Sequence, residues 1–239
     1  MAARCSFCWL LVALLLLAAR PALATWSIVA IDTASGEVGS AGASCTNSVG
    51  GIVAIVPGKG VIVAQAASNA LARKKGVELL QQGHSPKEIV AQISDVWFDA
   101  NRAQQQYGVV ALAQAGRAAG FTGGETPDAH ADLQAYGVSV QGNTMAEANF
   151  AKAMLAAYRQ AHRNPKFRLA DRLLAALEAG AKAGGGDKRC GRRQTATSAY
   201  LVVAKPGDSV IAPSLRLIVP GQLRGEANAV ELLRWKYGK

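Results

Sequence analysis

The chain has 239 residues, with 26 Lys and Arg against 16 Asp and Glu, a formal charge of +10, and half of its residues are apolar. That length suits one domain with a sizeable core. The charge is scattered, with no basic-aromatic strip, and so argues against a nucleic-acid-binding protein and for solubility and affinity for anionic surfaces.

The first 24 residues fall into three zones. Met1–Arg4 is short and basic, Cys5–Ala19 is almost wholly apolar, and Arg20-Pro21-Ala22-Leu23-Ala24 ends in an A-x-A pattern. Basic, apolar and small-residue zones in that order describe a signal peptide cleaved after Ala24. The apolar run is shorter than the ~20 residues a membrane-spanning helix needs. The expected organisation is a leader over 1–24 and one domain over 25–239, in a periplasmic or secreted protein without a stable membrane anchor after processing. Arg4 and Arg20 leave with the leader, so 24 basic residues face 16 acidic ones and the charge becomes +8.

Thr25–Ile31, rich in β-branched and aromatic residues, predicts a strand. Val38–Ser44 follows as the second arm of a hairpin around Asp32–Gly36. Ile52–Val56 and Val61–Gln65 read as two further strands around Pro57-Gly58-Lys59-Gly60, and all four suggest antiparallel sheet. A helix capped by Ser68 or Asn69 runs to about Gln82 and stops at Gly83. Ser85-Pro86-Lys87-Glu88 carries the signals that open a second helix. Strands return at Tyr107–Ala113, Arg117–Thr122 and Tyr136–Val140. Met145–Gln160 and Phe167–Lys182 are amphipathic, the second through Leu169, Leu173, Leu174 and Leu177. Thr197–Ala204 and Leu215–Val219 are strands, and Glu226–Lys236 is a closing helix. Strands in runs and helices in pairs exclude a regular βαβ winding. They predict an α+β fold, a four-layer αββα sandwich of two antiparallel sheets flanked by helix pairs.

Cys45 and Cys190 remain after processing, and an even pair in an oxidising compartment suggests one disulfide. Its loop of well over a hundred residues would be worth about 4–5 kcal/mol in the chain-entropy model. Two buried thiols are the alternative. No H-E-x-x-H or cysteine cluster suggests a metal, and no cofactor motif is present; Gly184-Gly185-Gly186-Asp187-Lys188 lacks phosphate-loop spacing.

Cleavage after Ala24 would leave Thr25 with both a hydroxyl and a free α-amine. A threonine hydroxyl needs a nearby base to act as a nucleophile. An α-amine of ordinary pKa near 8 is neutral often enough to serve. The alternative is an ordinary first residue. Acyl transfer also needs donors for an oxyanion. Asn143 offers a side-chain amide, or else a turn or cap before Met145. Ser44, at the end of the second strand, is a hydrogen-bonding group or a plain small residue. Asp187, Lys188, Arg189, Arg192 and Arg193 form either a solvated basic loop or a substrate clamp, with Asp187 toward an amine and Arg189 toward a carboxylate.

The opening Thr25-Trp26-Ser27-Ile28-Val29-Ala30-Ile31-Asp32, with Gly36–Cys45, Gly120-Phe121-Thr122-Gly123, Val140-Gln141-Gly142-Asn143 and Gly186–Cys190 before Val203-Ala204-Lys205-Pro206, resembles the secreted branch of an uncharacterised family of N-terminal-nucleophile (Ntn) hydrolase-like proteins. The likeness spans nearly the whole mature chain. It departs from the family at Ser44–Ser48 and Pro127–Ala135. The resemblance implies the αββα fold and amide hydrolysis through an acyl-enzyme. The function expected is an exported amidohydrolase acting on a small amide or peptide through acyl-Thr25, with Asn143 in catalysis and Ser44, Asp187 and Arg189 binding substrate. The rival is a non-catalytic envelope binding or assembly protein on the same fold. Self-association into a homo-oligomer is left open.

Overall fold

A computed structural model describes residues 25–113, 118–127, 129–184, 186, 190 and 194–239. The expected signal peptide, the turn Gln114–Gly116 and the basic loop residues Asp187, Lys188, Arg189, Arg192 and Arg193 lie outside the described residues.

Among the described residues, ten strands form two antiparallel sheets. The first sheet has six strands in the order β10 (Leu215–Val219), β9 (Ser198–Ala204), β2 (Glu37–Ser44), β1 (Thr25–Asp32), β8 (Val138–Asn143) and β7 (Ala131–Ala135). The second has four, β3 (Val53–Val56), β4 (Gly60–Ala66), β5 (Gln105–Ala111) and β6 (Ala118–Thr122). The first four strands are therefore two hairpins in different sheets, not one sheet. A hairpin needs only a turn and alternation, and neither tells it which sheet to join.

Helices cover both outer faces. Helices α1 (Ala70–Gln82) and α2 (Pro86–Ile93) lie on the four-stranded sheet. Helices α3 (Phe150–His162), α4 (Leu169–Gly184) and α5 (Ala229–Tyr237) lie on the six-stranded one. The result is the expected four-layer αββα sandwich, with three helices rather than a pair on one side.

Local chemistry explains several boundaries. Asn69 Oδ1 accepts the Ala72 N–H at 3.0 Å and caps α1, which ends where Gly83 turns left-handed at φ 84°. Ser85 and Glu88 form a reciprocal capping box on α2. Other boundaries moved. Tyr136 is a turn residue between β7 and β8, not the start of a strand, and β7 was not expected because Ala131–Ala135 is short and lacks β-branched and aromatic residues, although its apolar and polar residues alternate. Helix α3 starts at Phe150, five residues after the apolar pattern begins at Met145, because Met145 is instead bound through its N–H to Ala129 O.

Alternation along β1 sorts its side chains between two layers. Trp26, Ile28 and Ala30 enter the core under α3 and α4, where the Trp26 indole donates to Leu177 O at 3.2 Å. Val29 and Ile31 enter the apolar part of the space between the sheets, with Val38, Val61, Val63 and Val110. Strand β2 consists mostly of small residues, which lets α4 sit close. A Cβ on Gly39 would lie 2.8 Å from the Leu173 side chain.

Candidate functional site

Thr25 is the first residue of β1. It stands in register with Ser44 of β2 on one side and Asn143 of β8 on the other, and Ser44 in turn with Ser198 of β9. Residues directly opposite one another share a face, so Asn143, Thr25, Ser44 and Ser198 form one row facing the gap between the sheets. Thr25 Oγ1 donates to Ser44 Oγ at 3.3 Å. Thr197 holds the far end of the row: its N–H donates to Ser44 O at 3.0 Å and its hydroxyl to Thr46 O at 2.9 Å.

One step inward, the gap is filled by a buried network of amides and hydroxyls. Ser139 Oγ donates to Gln141 Oε1 at 3.0 Å, and Gln141 Nε2 donates to Ser27 Oγ at 2.7 Å. Ser27 Oγ donates to Gln65 Oε1 at 2.6 Å. Gln65 Nε2 then donates to the main-chain carbonyl of Thr25 at 3.2 Å and to Gln106 Oε1 at 2.8 Å. Asn143 Nδ2 donates to the same Gln106 oxygen at 3.2 Å. Gln106 Nε2 reaches Thr122 Oγ1 at 2.9 Å and Gly142 O at 3.0 Å. Donation runs one way through the chain, which determines how each amide is turned. Asn143 presents its NH2 end to Gln106 and accepts from Thr144 Oγ1 through Oδ1 at 3.4 Å. One amide hydrogen of Asn143 is used by Gln106, and an amide carries two.

This network is fully enclosed: Ser27, Gln106, Ser139, Gln141 and Asn143 have no exposed surface. A buried polar group without a partner costs about 1–3 kcal/mol. Among the described residues, only Gln105 Oε1 is a buried side-chain atom lacking one. The other half of the same gap is apolar, so an apolar filling was available and is not used beneath Thr25.

Backbone strain gathers at the same end. Among the described residues, the non-glycine residues with positive φ are Ala66, Ser68, Ala129 and Thr144, at 66°, 52°, 56° and 55°. Ala66 follows Gln65, Thr144 follows Asn143, and Ala129 O accepts the Met145 N–H. Each such residue costs of order 1–3 kcal/mol, and such residues cluster at functional sites.

Cys45 and Cys190 form a disulfide with 5.6 Å between their Cα atoms. Cys45 follows Ser44 directly, so the bond ties Cys190 to the end of the Thr25 row. The expected substrate-binding residues Asp187 and Arg189 themselves lie outside the described residues. Asn143 is neither a turn residue nor a helix cap but the last residue of β8. His130 is exposed and bonded to Pro127 O, and His84 is paired with Glu88. Among the described residues, no three His, Cys, Asp or Glu side chains could share a metal ion, and no helix is long and apolar enough to cross a membrane.

The sequence reading did not single out Ser27, Gln65, Gln106 or Gln141. Their signal was present: each is a polar side chain at an inward position of a strand rich in small or apolar residues. Two cavities among the described residues lie elsewhere. One of about 390 Å³ adjoins Asp32 at the opposite end of β1, and a shallower one of about 540 Å³ adjoins Trp97. Thr25 lines neither and is 2 % exposed in the full chain. Cavity size and chemistry thus point to different places, and the enclosed network with its strained flanks marks the Thr25 end as the candidate site.

The chain is similar in fold to the crystal structure of a protein from Silicibacter pomeroyi assigned to DUF1028. The TM-score is 0.74 at 26 % identity, over 90 % of this chain and 85 % of that one. No curated protein matches. Residues 25–220 match the DUF1028 family, so the chain, from Thr25 onward, belongs to this family of unknown function.

Proposed function

We propose that this protein is an exported amidohydrolase of the Ntn type, in which cleavage between Ala24 and Thr25 creates the catalytic residue. In the uncut chain the Thr25 nitrogen is part of a peptide bond and cannot act as a base. Once freed, the α-amine takes the proton from Thr25 Oγ1, and the oxygen attacks the carbonyl carbon of a small amide or peptide. The negative charge that develops on the carbonyl oxygen requires donors, and the second Asn143 amide hydrogen is suited to that. The protonated amine gives its proton to the leaving nitrogen, which departs and leaves an ester on Thr25. The amine then deprotonates a water, which attacks the ester, and the acid leaves as Thr25 regains its proton. Ser44, Asp187 and Arg189 are assigned to substrate binding.

The observation that carries this reading is the position of Thr25, first in β1 and in register between Ser44 and Asn143. The family match beginning at the same residue supports it, and the disulfide fits export to an oxidising compartment. One observation favours the rival, a non-catalytic envelope binding or assembly protein: the Thr25 side chain is closed off in the full chain.

The test is to export the full chain from a bacterial host, sequence the N-terminus of the released protein, and treat it with a β-lactone that acylates nucleophilic hydroxyls. We expect Thr as the first residue, one mass increment on the wild type and none on Thr25→Ala, with hydrolysis from a panel of small amides following the same pattern. A different N-terminus, or equal labelling of both proteins, ends the enzymatic reading and leaves the binding one.

A further inference from the structure

The cavity at the far end of β1 is separate from the Thr25 row. Strand β1 runs eight residues from Thr25 to Asp32, and its seven steps span roughly 23 Å at ~3.3 Å per residue. Its volume of about 390 Å³ falls within the ~300–1,000 Å³ range of small-molecule sites. Its floor is apolar, made by Ile31, Val138 and the Tyr136–Gly137 turn. Tyr136 stands on that turn 70 % exposed, and Tyr158 lies buried opposite, stacked on His162 with ring centres 6.4 Å apart and planes 12° from parallel.

The charges in this cavity do not balance. Arg159 and Arg163 line it from the last turn of α3 and the residue after it, one helical turn apart. Among the described residues neither has a carboxylate partner, whereas Arg168, Arg172 and Arg234 each do. Asp32 is the lining carboxylate, and it is already held by Arg172 Nη1 at 2.8 Å and by the N–H groups of Ala34 and Ser35. Burial pushes the Tyr158 phenol up to about 12, so it adds no negative charge at neutral pH. The carbonyl end of α3 favours cations, but it is equivalent to about half a negative charge, and two guanidiniums exceed it. An aromatic-walled, apolar-floored cavity with about one and a half positive charges in excess is complementary to a flat apolar body bearing an anionic group.

We propose that this cavity binds a small aromatic carboxylate. Arg159 and Arg163 hold the carboxylate, and the ring lies against Tyr136 and the Tyr158–His162 stack. The site does not depend on the Thr25 chemistry.

The test titrates the folded protein with phenylacetate, acetate and benzyl alcohol and follows backbone amide shifts by NMR. We expect saturable phenylacetate binding with a Kd on the order of 1 mM or tighter, with the largest shifts at Tyr136–Val138 and Tyr158–Arg163. Acetate lacks the ring and benzyl alcohol lacks the charge, and each should bind at least about tenfold more weakly. The exposed double substitution Arg159→Ala with Arg163→Ala should weaken phenylacetate binding by a similar factor at unchanged Tm, and Thr25→Ala should leave it intact. Absence of saturable phenylacetate binding, equal binding of acetate or of benzyl alcohol, shifts centred elsewhere, or full affinity in the double variant would each overturn the assignment.

Discussion

Gln106 is the residue on which the Thr25 end turns. Its Oε1 accepts from both Gln65 and Asn143, so it fixes which end of each amide is the NH2, and the Gln65 NH2 also donates to the Thr25 carbonyl. Gln106→Leu removes the acceptor of Asn143 Nδ2 and of one Gln65 amide hydrogen, and the donor to the Gly142 carbonyl and to the part-buried Thr122 hydroxyl. At ~1–3 kcal/mol for each group left bare, with partial relaxation, a loss of about 3 kcal/mol is expected. Urea unfolding measures it, and a loss below about 0.5 kcal/mol, the scale of an ordinary surface change, would mean that the network carries little of the stability. At the same scale, the proposed amine base has an ordinary pKa of about 8. β-Lactone labelling of Thr25 should therefore rise with pH, reach half its maximum near pH 8 and level off about one unit above, and a flat profile between pH 5 and 9 would point to a different base.

Strand β1 joins two chemistries through its period of two. Its odd-numbered residues run from the hydroxyls of Thr25 and Ser27 to the apolar Val29 and Ile31, and its even-numbered ones fasten the sheet to α4. Its far end is held by Asp32. Burial raises the Asp32 carboxyl, but the N–H groups of Ser35 and Ala34 and the Arg172 guanidinium outweigh it and hold the group below its ordinary value. A carboxyl whose folded pKa lies below its unfolded value stabilises fully above the unfolded value, about 3.9. The benefit is lost as pH falls through the lower, folded value. Asp32→Asn should therefore lower Tm at pH 7, and the gap between variant and wild type should close below about pH 4. A gap that persists at pH 2 would assign the effect to packing rather than charge.

The whole molecule is held by its layers and by one covalent link. The Cys45–Cys190 bond spans 145 residues of sequence, and the chain-entropy model gives such a loop about 4–5 kcal/mol. For a domain of this size 1 kcal/mol is roughly 2–4 °C, so the paired change Cys45→Ser with Cys190→Ser should lower Tm by roughly 8–20 °C. Calorimetry of the two proteins under identical buffer decides it, and a fall of less than about 3 °C, under 1–2 kcal/mol on that scale, would show that the folded state is held without the bond. The same bond fastens Cys190 to the residue that follows Ser44, which makes it an element of the Thr25 end as well as a staple.

What the residues determined by themselves is what acts over a few positions. The zones before Thr25 are visible as composition. The caps at Asn69, Gly83, Ser85 and Glu88 are contacts within four residues, and alternation in β1 and β2 is a property of one strand. The even cysteine pair could be counted, and with strands in runs and helices in groups it pointed to the αββα sandwich and one disulfide. Tertiary structure decided the rest. The β1–β2 and β3–β4 hairpins look alike in sequence yet entered different sheets, because that choice depends on which exposed face each can bury. Ser27 meets Gln65, Gln106 meets Asn143, and Gln141 meets Ser27 across 38, 37 and 114 residues. Only the register of folded strands brings such pairs within hydrogen-bond reach, because the directional contact of two amides leaves no periodic trace along the chain.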